Sequence, residues 1–324
     1  DVYKRQDITA NQATIYWSYT ITVALLAIAF LSPLVGALVD NTNKKKLLFK
    51  FFVLLGVVFT ALLYFPQKGD WFLVSVIFVI SNVGYGLAEI VYNSLLKFVD
   101  RKEDANYVSS LGYALGYLGG GLLLAIAVFV FMKFLEFPDA AKISFISVSV
   151  WWFVFSIPLF RNIKEPQIKK NNENSFVTSS FKSLYRTYKD LRKFRQLSLF
   201  LFAFWIYNDG IGTIIKLATI YGAELGIGPS ALVGALLVTQ FIGIPFTLIF
   251  SRIANKTSAK TGILIGLFVY FLISIGAFYI ENATHFMILA ILVGTVQGGT
   301  QALSRSLFSN MVPEKKSAEF FGFY

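Results

Sequence analysis

The sequence predicts an all-α protein that crosses the membrane many times. Hydrophobic residues make up 56% of its 324 residues, charged residues make up only 15%, and the mean hydropathy is +0.64. A soluble domain has roughly 45–50% apolar and about 25% charged residues. The apolar residues also form long continuous blocks, each close to the ~20 residues that a helix needs to cross the hydrocarbon core.

Nine such blocks follow one another, and a tenth begins near Ala318 and runs to the last residue, Tyr324. A polar segment at residues 161–195 divides five of the nine from the remaining four. The blocks are Ile21–Leu38, Leu47–Phe65, Trp71–Ile90, Leu111–Leu135, Ile143–Phe160, Leu197–Ile220, Leu232–Ile253, Gly262–Ile280 and Phe286–Leu307. We therefore expect about nine transmembrane helices.

The positive charges lie in alternate connecting segments. Lys44, Lys45 and Lys46 follow the first block, and ten Lys and Arg residues lie between residues 161 and 195. The intervening loops carry only single lysines. This asymmetry follows the positive-inside rule and places the basic segments in the cytoplasm. The net charge of +11 could suggest binding to nucleic acid. The alternation of basic and non-basic segments instead indicates that the partner is a lipid bilayer, and we expect a bacterial inner-membrane protein.

No group of residues indicates catalysis or cofactor binding. The chain has no cysteine, and its single histidine, His285, stands at the start of an apolar block. No cluster of His, Cys or acidic residues has metal-ligand spacing. No nucleophile with a neighbouring base is recognisable. The sequence therefore predicts no enzyme activity, no metal and no cofactor.

Polar residues recur at helical spacing in or beside three of the blocks. They are Asn82, Tyr85, Glu89 and Asn93 in the third block; Trp205, Asn208, Asp209 and Thr213 in the sixth; and Gln297, Gln301 and Arg305 in the ninth. Such residues mark solute or ion pathways, or they join helices by hydrogen bonds. We favour a cavity role for the two acids, because an acid near the midplane must be protonated, paired or hydrated.

An internal repeat relates the two halves of the chain. Residues 32–48 resemble residues 248–264, and the alignment that matches Asp40 with Asn255 also matches Lys45 with Lys260. Paired halves are typical of transporters. The alignment makes the first visible block the second helix of its half. We therefore expect one helix to be missing before residue 7 and most of two after Tyr324. Residues 1–6 (DVYKRQ) look like a translated sequencing adapter.

The loop GALVDNTNKKK (36–46) resembles a motif of the major facilitator superfamily, Gly-x-x-x-Asp followed by basic residues. The resemblance implies a cytoplasmic latch formed by Gly36, Asp40, Lys44, Lys45 and Lys46. The Asp40 carboxylate is expected to face the positive N-terminus of a helix. The three lysines are expected to pair with acids such as Asp100, Glu103 and Asp104. The alternative is a basic loop that only sets topology.

The stretch LGYALGYLGGGLLL (111–124) holds five glycines but lacks the Lys and Ser or Thr of a phosphate-binding loop. Gly112, Gly116 and Gly120 recur every four residues, with Gly119 beside them. This spacing predicts close contact with another helix in lipid. The stretch also resembles the superfamily's antiporter motif, with Tyr117 at the proline position. Of the two interpretations, we favour helix packing.

Further segments resemble the vacuole-effluxer branch of that superfamily, whose fungal members export amino acids. They are SSLGYALGYLGGGLLL (109–124), YNDG (207–210), IYGAELG (220–226), VQGGTQALSRSLF (296–308) and AEFFGFY (318–324). The resemblance implies the twelve-helix major facilitator fold, in which the three polar blocks become helices 4, 7 and 10 and line a central cavity. It also implies an N-terminal bundle over residues 7–160, a cytoplasmic loop at 161–195 and a C-terminal bundle over 196–324.

The implied function is secondary transport of small polar solutes, amino acids first, with protons as a coupling ion through Glu89 or Asp209. Two alternatives stay open at this point. One is a lipid or lysolipid flippase of the same fold. The other is a membrane sensor or scaffold that does not transport and that interacts through residues 161–195.

Overall fold

Long helices contain most of the residues that the structure describes. The computed structural model describes residues 10–42, 44–67, 69–98, 105–162 and 195–324, and these ranges contain helices and turns without strands. Nine long helices and the short helix α10 follow in order: α1 (Ala10–Asn41), α2 (Lys45–Leu62), α3 (Trp71–Leu95), α4 (Ala105–Ile126), α5 (Phe137–Asn162), α6 (Arg195–Glu224), α7 (Pro229–Lys256), α8 (Ala259–Ala277), α9 (Ala283–Met311) and α10 (Ser317–Phe323). Short helical segments adjoin them at Leu96–Phe98, Ala127–Phe131, Met132–Phe134 and Glu314–Lys316.

Each predicted apolar block corresponds to one of the nine long helices, which confirms the all-α membrane fold. Eight of the described helices are long and apolar enough to cross a membrane by length and composition. The remaining long helix, α2, is 18 residues long and carries Lys45, Lys46 and Lys50 near its start. Its apolar part is therefore the shortest of the nine.

Local sequence signals set several helix ends. Asn282 accepts a hydrogen bond from the backbone N–H of His285 (3.0 Å), and Ser258 accepts one from that of Thr261 (3.1 Å), so each caps the helix that follows. After α6, Gly226 takes a φ of 76°. The N–H of Ile227 then donates to the carbonyl of Gly222 (3.0 Å), which closes the helix in the usual glycine-dependent way.

Contacts between helices divide the described chain into two compact units. One contains α1, α2, α3, α5 and α10, and the other contains α4 and α6 to α9. Helix α4 therefore packs against α7 and α9, and α10 packs against α1 and α3. Helix α4, from the first half of the sequence, is therefore grouped with helices of the second half, and α10, from the second half, is grouped with helices of the first. The division into bundles at 7–160 and 196–324 stays a prediction, and residues 1–6 and 163–194 lie outside the described residues.

The first unit contains a close backbone contact between α2 and α3. A Cβ atom added at Gly84 would lie 2.8 Å from the Cα of Gly56 and 3.0 Å from the carbonyl oxygen of Phe52. Neither neighbour is a flexible side chain, so any residue larger than glycine must push the two helices apart. Beside this contact, Thr60 and Ser81 share a hydrogen bond of 2.7 Å.

The glycines of α4 lie on more than one face of the helix, and Gly121 is the one that lies against α7. An added Cβ at Gly116 or Gly120 would meet none of the described atoms within 4 Å, whereas one at Gly121 would lie 3.3 Å from Cβ of Gln240 on α7. Gly112 and Gly119 are half-buried. The buried stripe of α4 is Ser110, Ala114, Tyr117 and Gly121. The helix is therefore small on two faces, and close packing at Gly112, Gly116, Gly119 and Gly120 stays a prediction.

We expect Gly84→Ala to destabilise the protein, because the new methyl group meets backbone atoms, and overpacking of this kind costs about 1–3 kcal/mol. The matched control is Gly116→Ala, which meets open space and gains helix propensity of roughly 0.5–1 kcal/mol. Thermal unfolding of both variants in detergent measures the difference. Equal Tm values for the two variants would contradict the Gly56–Gly84 contact.

Candidate functional site

The loop between α1 and α2 contains a buried ion pair. The Lys45 ammonium donates to Oδ1 of Asp40 over 2.7 Å, and both side chains are almost fully buried, at 2% and 3% exposure. The same ammonium donates to Oγ of Ser317 at the start of α10 (3.3 Å). A charged pair withdrawn from water to this extent needs further hydrogen bonds to offset its desolvation. The start of α10 supplies them.

Helix α10 presents its N-terminus to Asp40. Oδ2 of Asp40 accepts a hydrogen bond from the backbone N–H of Glu319 over 2.7 Å. The N-terminus of a helix carries partial positive charge, so a carboxylate there is stabilised. Gly36, one turn earlier on α1, allows this approach, because a Cβ added there would lie 2.8 Å from Cα of Glu319. Gly36 and Asp40 are therefore where the loop motif requires them.

The three lysines of the loop do different things. Lys45 is buried, Lys44 is exposed at the N-cap of α2, and Lys46 reaches the carbonyl of Arg161 at the end of α5 (3.5 Å). The predicted partners Asp100, Glu103 and Asp104 lie outside the described residues. Within the described chain, the acid that binds Lys45 is Asp40 of the same motif.

We expect Asp40→Ala to lower the free energy of unfolding by about 3–5 kcal/mol, because it leaves the Lys45 charge buried without its counterion. Lys45→Met should have a comparable effect for the same reason. The double variant should be less destabilised than the sum of the two, since no unpaired charge remains. Thermal unfolding of the four proteins measures this, with the exposed Lys44→Ala as control. Additive losses would mean that the pair is not coupled.

The polar residues of α3 are partly exposed and partly buried. Tyr85 is 54% exposed, and its ring meets Trp152 of α5 edge-on with centroids 6.0 Å apart. Glu89, one turn further, is half-buried, and Asn93 is 7% exposed. Asn82 donates to the carbonyl of Phe78 in its own helix (2.9 Å). Tyr85 and Glu89 are therefore the more accessible members of the predicted stripe.

The polar residues of α6 form an open face. Trp205 is 53% exposed, Asp209 and Thr213 are exposed, and Asn208 is half-buried. An added Cβ at Gly210 or Gly212 would meet no described atom within 4 Å. This part of the helix therefore presents its backbone as well as its side chains. The face lies in a helix whose composition otherwise suits a membrane span.

The polar residues of α9 do not act alike. Gln297 and Gln301 are half-buried. Arg305, which the sequence placed with them, is only 6% exposed. Its Nε donates to Oγ of Ser109 and its Nη2 to the carbonyl of Ser109, both over 2.9 Å. The guanidinium also lies over the Tyr113 ring at 4.6 Å. Arg305 thus joins α9 to α4 within one unit, a contact that its spacing alone did not reveal.

We expect Arg305→Lys to destabilise the protein even though the charge is kept. A lysine cannot make the two-pronged contact or stack on Tyr113, and each hydrogen bond to a charged group is worth about 1.5–3 kcal/mol. Thermal unfolding is the measurement, with the half-buried Gln301→Ala on the same helix as control. An unchanged Tm with altered solute selectivity would return Arg305 to the predicted cavity.

Residues that the sequence did not single out complete the α4–α9 contact. Asn106, at the start of α4, accepts a hydrogen bond from Ser306 of α9 and donates to Oδ1 of Asn255 of α7 (3.3 Å). Lys97 donates to the carbonyl of Ser309 at the end of α9 (3.0 Å). Asn255 is the position that the internal repeat aligned with Asp40, and that alignment was the available signal. Asp40 lies near the start of α10, and Asn255 lies near the start of α4. Each of the two residues thus contacts a helix from the other half of the sequence.

Solved structures define the class of protein to which this fold belongs. The proton:xylose symporter XylE superposes with a TM-score of 0.70 at 12% identity, over 99% of this chain and 78% of that one. A bacterial homologue of the iron transporter ferroportin superposes with a TM-score of 0.62 at 14% identity, over 96% and 78%. At such identities the likeness shows the fold alone, and the fold is that of the major facilitator superfamily.

The chain belongs to the family described as Vacuole effluxer Atg22 like, which matches residues 7–104 and 99–324. It is 38% identical over 323 residues to the MFS-type transporter YxiO of Bacillus subtilis (strain 168), covering 98% of this chain and 75% of that protein. It is 26% identical over 278 residues to Autophagy-related protein 22 of Yarrowia lipolytica, and this match covers 75% of this chain and 47% of that protein.

The family establishes the general character of the molecule. This chain is an MFS-type transporter and an integral membrane protein, and its class is not enzymatic. The similarity to a bacterial protein supports the inner membrane as its location. The resemblance that the sequence motifs indicated, down to the effluxer branch, is therefore confirmed.

Proposed function

We propose that this chain exports amino acids or similar small polar solutes by alternating access, and that Glu89 or Asp209 couples export to protons. The observation that carries the proposal is the exposed polar face of α6, where Trp205, Asp209 and Thr213 follow one another at helical spacing. An exposed carboxylate within an apolar helix is unfavourable in lipid and favourable in a hydrated solute path. The export direction follows the description of the family as effluxers.

The remaining residues of the three stripes fall into two groups by their exposure and their contacts. Tyr85, Glu89, Gln297 and Gln301 are exposed or half-buried and offer hydrogen-bonding groups. Asn82, Asn93 and Arg305 have their interactions within the protein or are buried. We therefore assign solute contact to the first group and the support of helix positions to the second.

The loop between α1 and α2 has a separate role in this proposal. Asp40 and Lys45 hold the start of α10 through direct hydrogen bonds. Alternating access requires helices from the two halves of the chain to separate on one side and approach on the other. A contact that joins segments this far apart in the sequence can act as the cytoplasmic latch by holding one arrangement of these helices.

The proposal is tested by Asp209→Asn in the full-length protein reconstituted into liposomes. We expect gradient-driven efflux of a labelled amino acid to be lost, because the amide neither carries a proton nor counters an amine. Exchange of labelled for unlabelled solute without a gradient then separates the roles. Exchange that survives assigns the proton to Asp209, and exchange that is also lost assigns the solute to it.

The matched control is Glu281→Gln, which removes an exposed acid between α8 and α9, away from the α6 face. It should transport as the wild type does. Wild-type efflux and exchange by Asp209→Asn would remove this residue from the mechanism. A wild-type protein that moves no amino acid in either assay would contradict the proposed function itself.

A further inference from the structure

An aromatic ring and a carboxylate lie one helical turn apart on the open face of α6. Trp205 and Asp209 are separated by four residues, which places them as neighbours on one side of a helix. The indole is 53% exposed and the carboxylate is exposed. Trp205 lies well inside Arg195–Glu224 and not at either end. It therefore differs from the tryptophans that anchor helix ends at the membrane interface.

The exposed indole and carboxylate on this face both favour a positive charge. An indole face attracts cations through its quadrupole, and the carboxylate does so through its charge. The Thr213 hydroxyl and Asn208 amide add oxygen acceptors, and the open space beside Gly210 and Gly212 lets a solute approach the helix backbone. Residues 205–213 contain no Lys or Arg, so this face offers an anionic group no cationic side chain within one turn.

This composition distinguishes a cationic amine from a simple zwitterion. A neutral α-amino acid holds its carboxylate beside its ammonium, so binding its amine at Asp209 brings two carboxylates together. The nearest basic side chain further along α6 is Lys216, seven residues beyond Asp209, about 10 Å along the helix axis. That distance is too long for Lys216 to neutralise the solute carboxylate at the same point. A solute with a net positive charge avoids this repulsion.

The same pair of groups recurs in the other unit. On α3, Tyr85 precedes Glu89 by four residues, and the Tyr85 ring is 54% exposed. Its edge-on contact with Trp152 fixes the ring orientation. This second aromatic and acidic pair is an independent instance of the same recognition chemistry.

We infer that the transported solute carries a net positive charge, as a diamine or a dibasic amino acid does, and that Trp205 and Asp209 select it by binding its amine. The inference rests on the proposed function and narrows its solute class. It assigns Asp209 to the solute, which leaves Glu89 as the acid for the coupling proton. Trp205 then determines specificity, since its ring recognises the cation without itself titrating.

The test compares release of labelled putrescine, L-lysine and L-leucine from liposomes containing the full-length protein. We expect wild-type protein to release putrescine and lysine at least about tenfold faster than leucine. Trp205→Leu should lower release of the two cations about tenfold and leave leucine release little changed, and Trp205→Phe should restore most of the loss. Glu224→Gln, which removes an exposed acid at the end of the same helix, is the matched control.

Direct binding separates failure of the inference from failure of the proposed function. Equilibrium binding of labelled putrescine to purified wild type, Trp205→Leu and Asp209→Asn needs no transport. Binding by the wild type that both variants lose supports the inference even if no solute is released. Leucine release equal to or faster than cation release overturns the inference and leaves amino-acid export standing. Putrescine binding that is absent in the wild type, or unchanged in both variants, also overturns it.

Discussion

The fold of the first unit depends on the carboxylate of Asp40. Its two oxygens join three parts of the chain, because one binds the Lys45 ammonium and the other binds the N–H of Glu319. A charge this deeply buried is tolerable only while all of these partners are present. Residue 36 must therefore be glycine, because a side chain there would meet the backbone of α10 and keep the N–H of Glu319 away from Asp40. The interaction therefore constrains the loop, the helix crossing and the start of α10 together.

In the second half of the chain, the position that the repeat aligns with Asp40 makes a weaker interaction. Asn255 stands where the internal repeat aligns with Asp40, and it meets Asn106 at the start of α4 through neutral amides at 3.3 Å. A neutral hydrogen bond contributes about 0.5–1.5 kcal/mol, and a buried charged one contributes more. The two repeat-related contacts thus differ in strength. The α1–α10 contact contains an ion pair, the α4–α7 contact is between neutral amides, and the neighbouring α4–α9 contact contains the Arg305 charge bound to Ser109.

Sequence reasoning located helices and buried charges better than helix faces. Apolar length identified each long helix, because a bilayer demands it irrespective of partners. The loop motif predicted that Asp40 faces a helix N-terminus, and the Asp40 carboxylate accepts a hydrogen bond from the N–H of Glu319 in α10; its role in a latch stays a prediction. The spacing of glycines leaves the packing face of α4 open, since glycines at 112, 116 and 120 and at 119 and 121 make two sides of the helix small. Only the partner helix decides which side is used. Arg305 was likewise assigned from spacing, and its burial against Ser109 depends on a helix 196 residues away in sequence.

The open face of α6 differs from these contacts in a way that bears on function. Asp40 and Lys45 are charged groups enclosed by protein, so their energy is tied to one arrangement of the helices. Asp209 is a charged group exposed on a helix of otherwise membrane-spanning composition, and its charge requires water, a proton or a bound cation. At an exposed carboxylate, water and a bound cation can replace each other. At the buried Asp40–Lys45 pair they cannot, because neither has access to the carboxylate. A site that must take up and release solute therefore needs the exposed kind, and a contact that must hold a conformation needs the buried kind. The chain uses each acid where its surroundings suit that role.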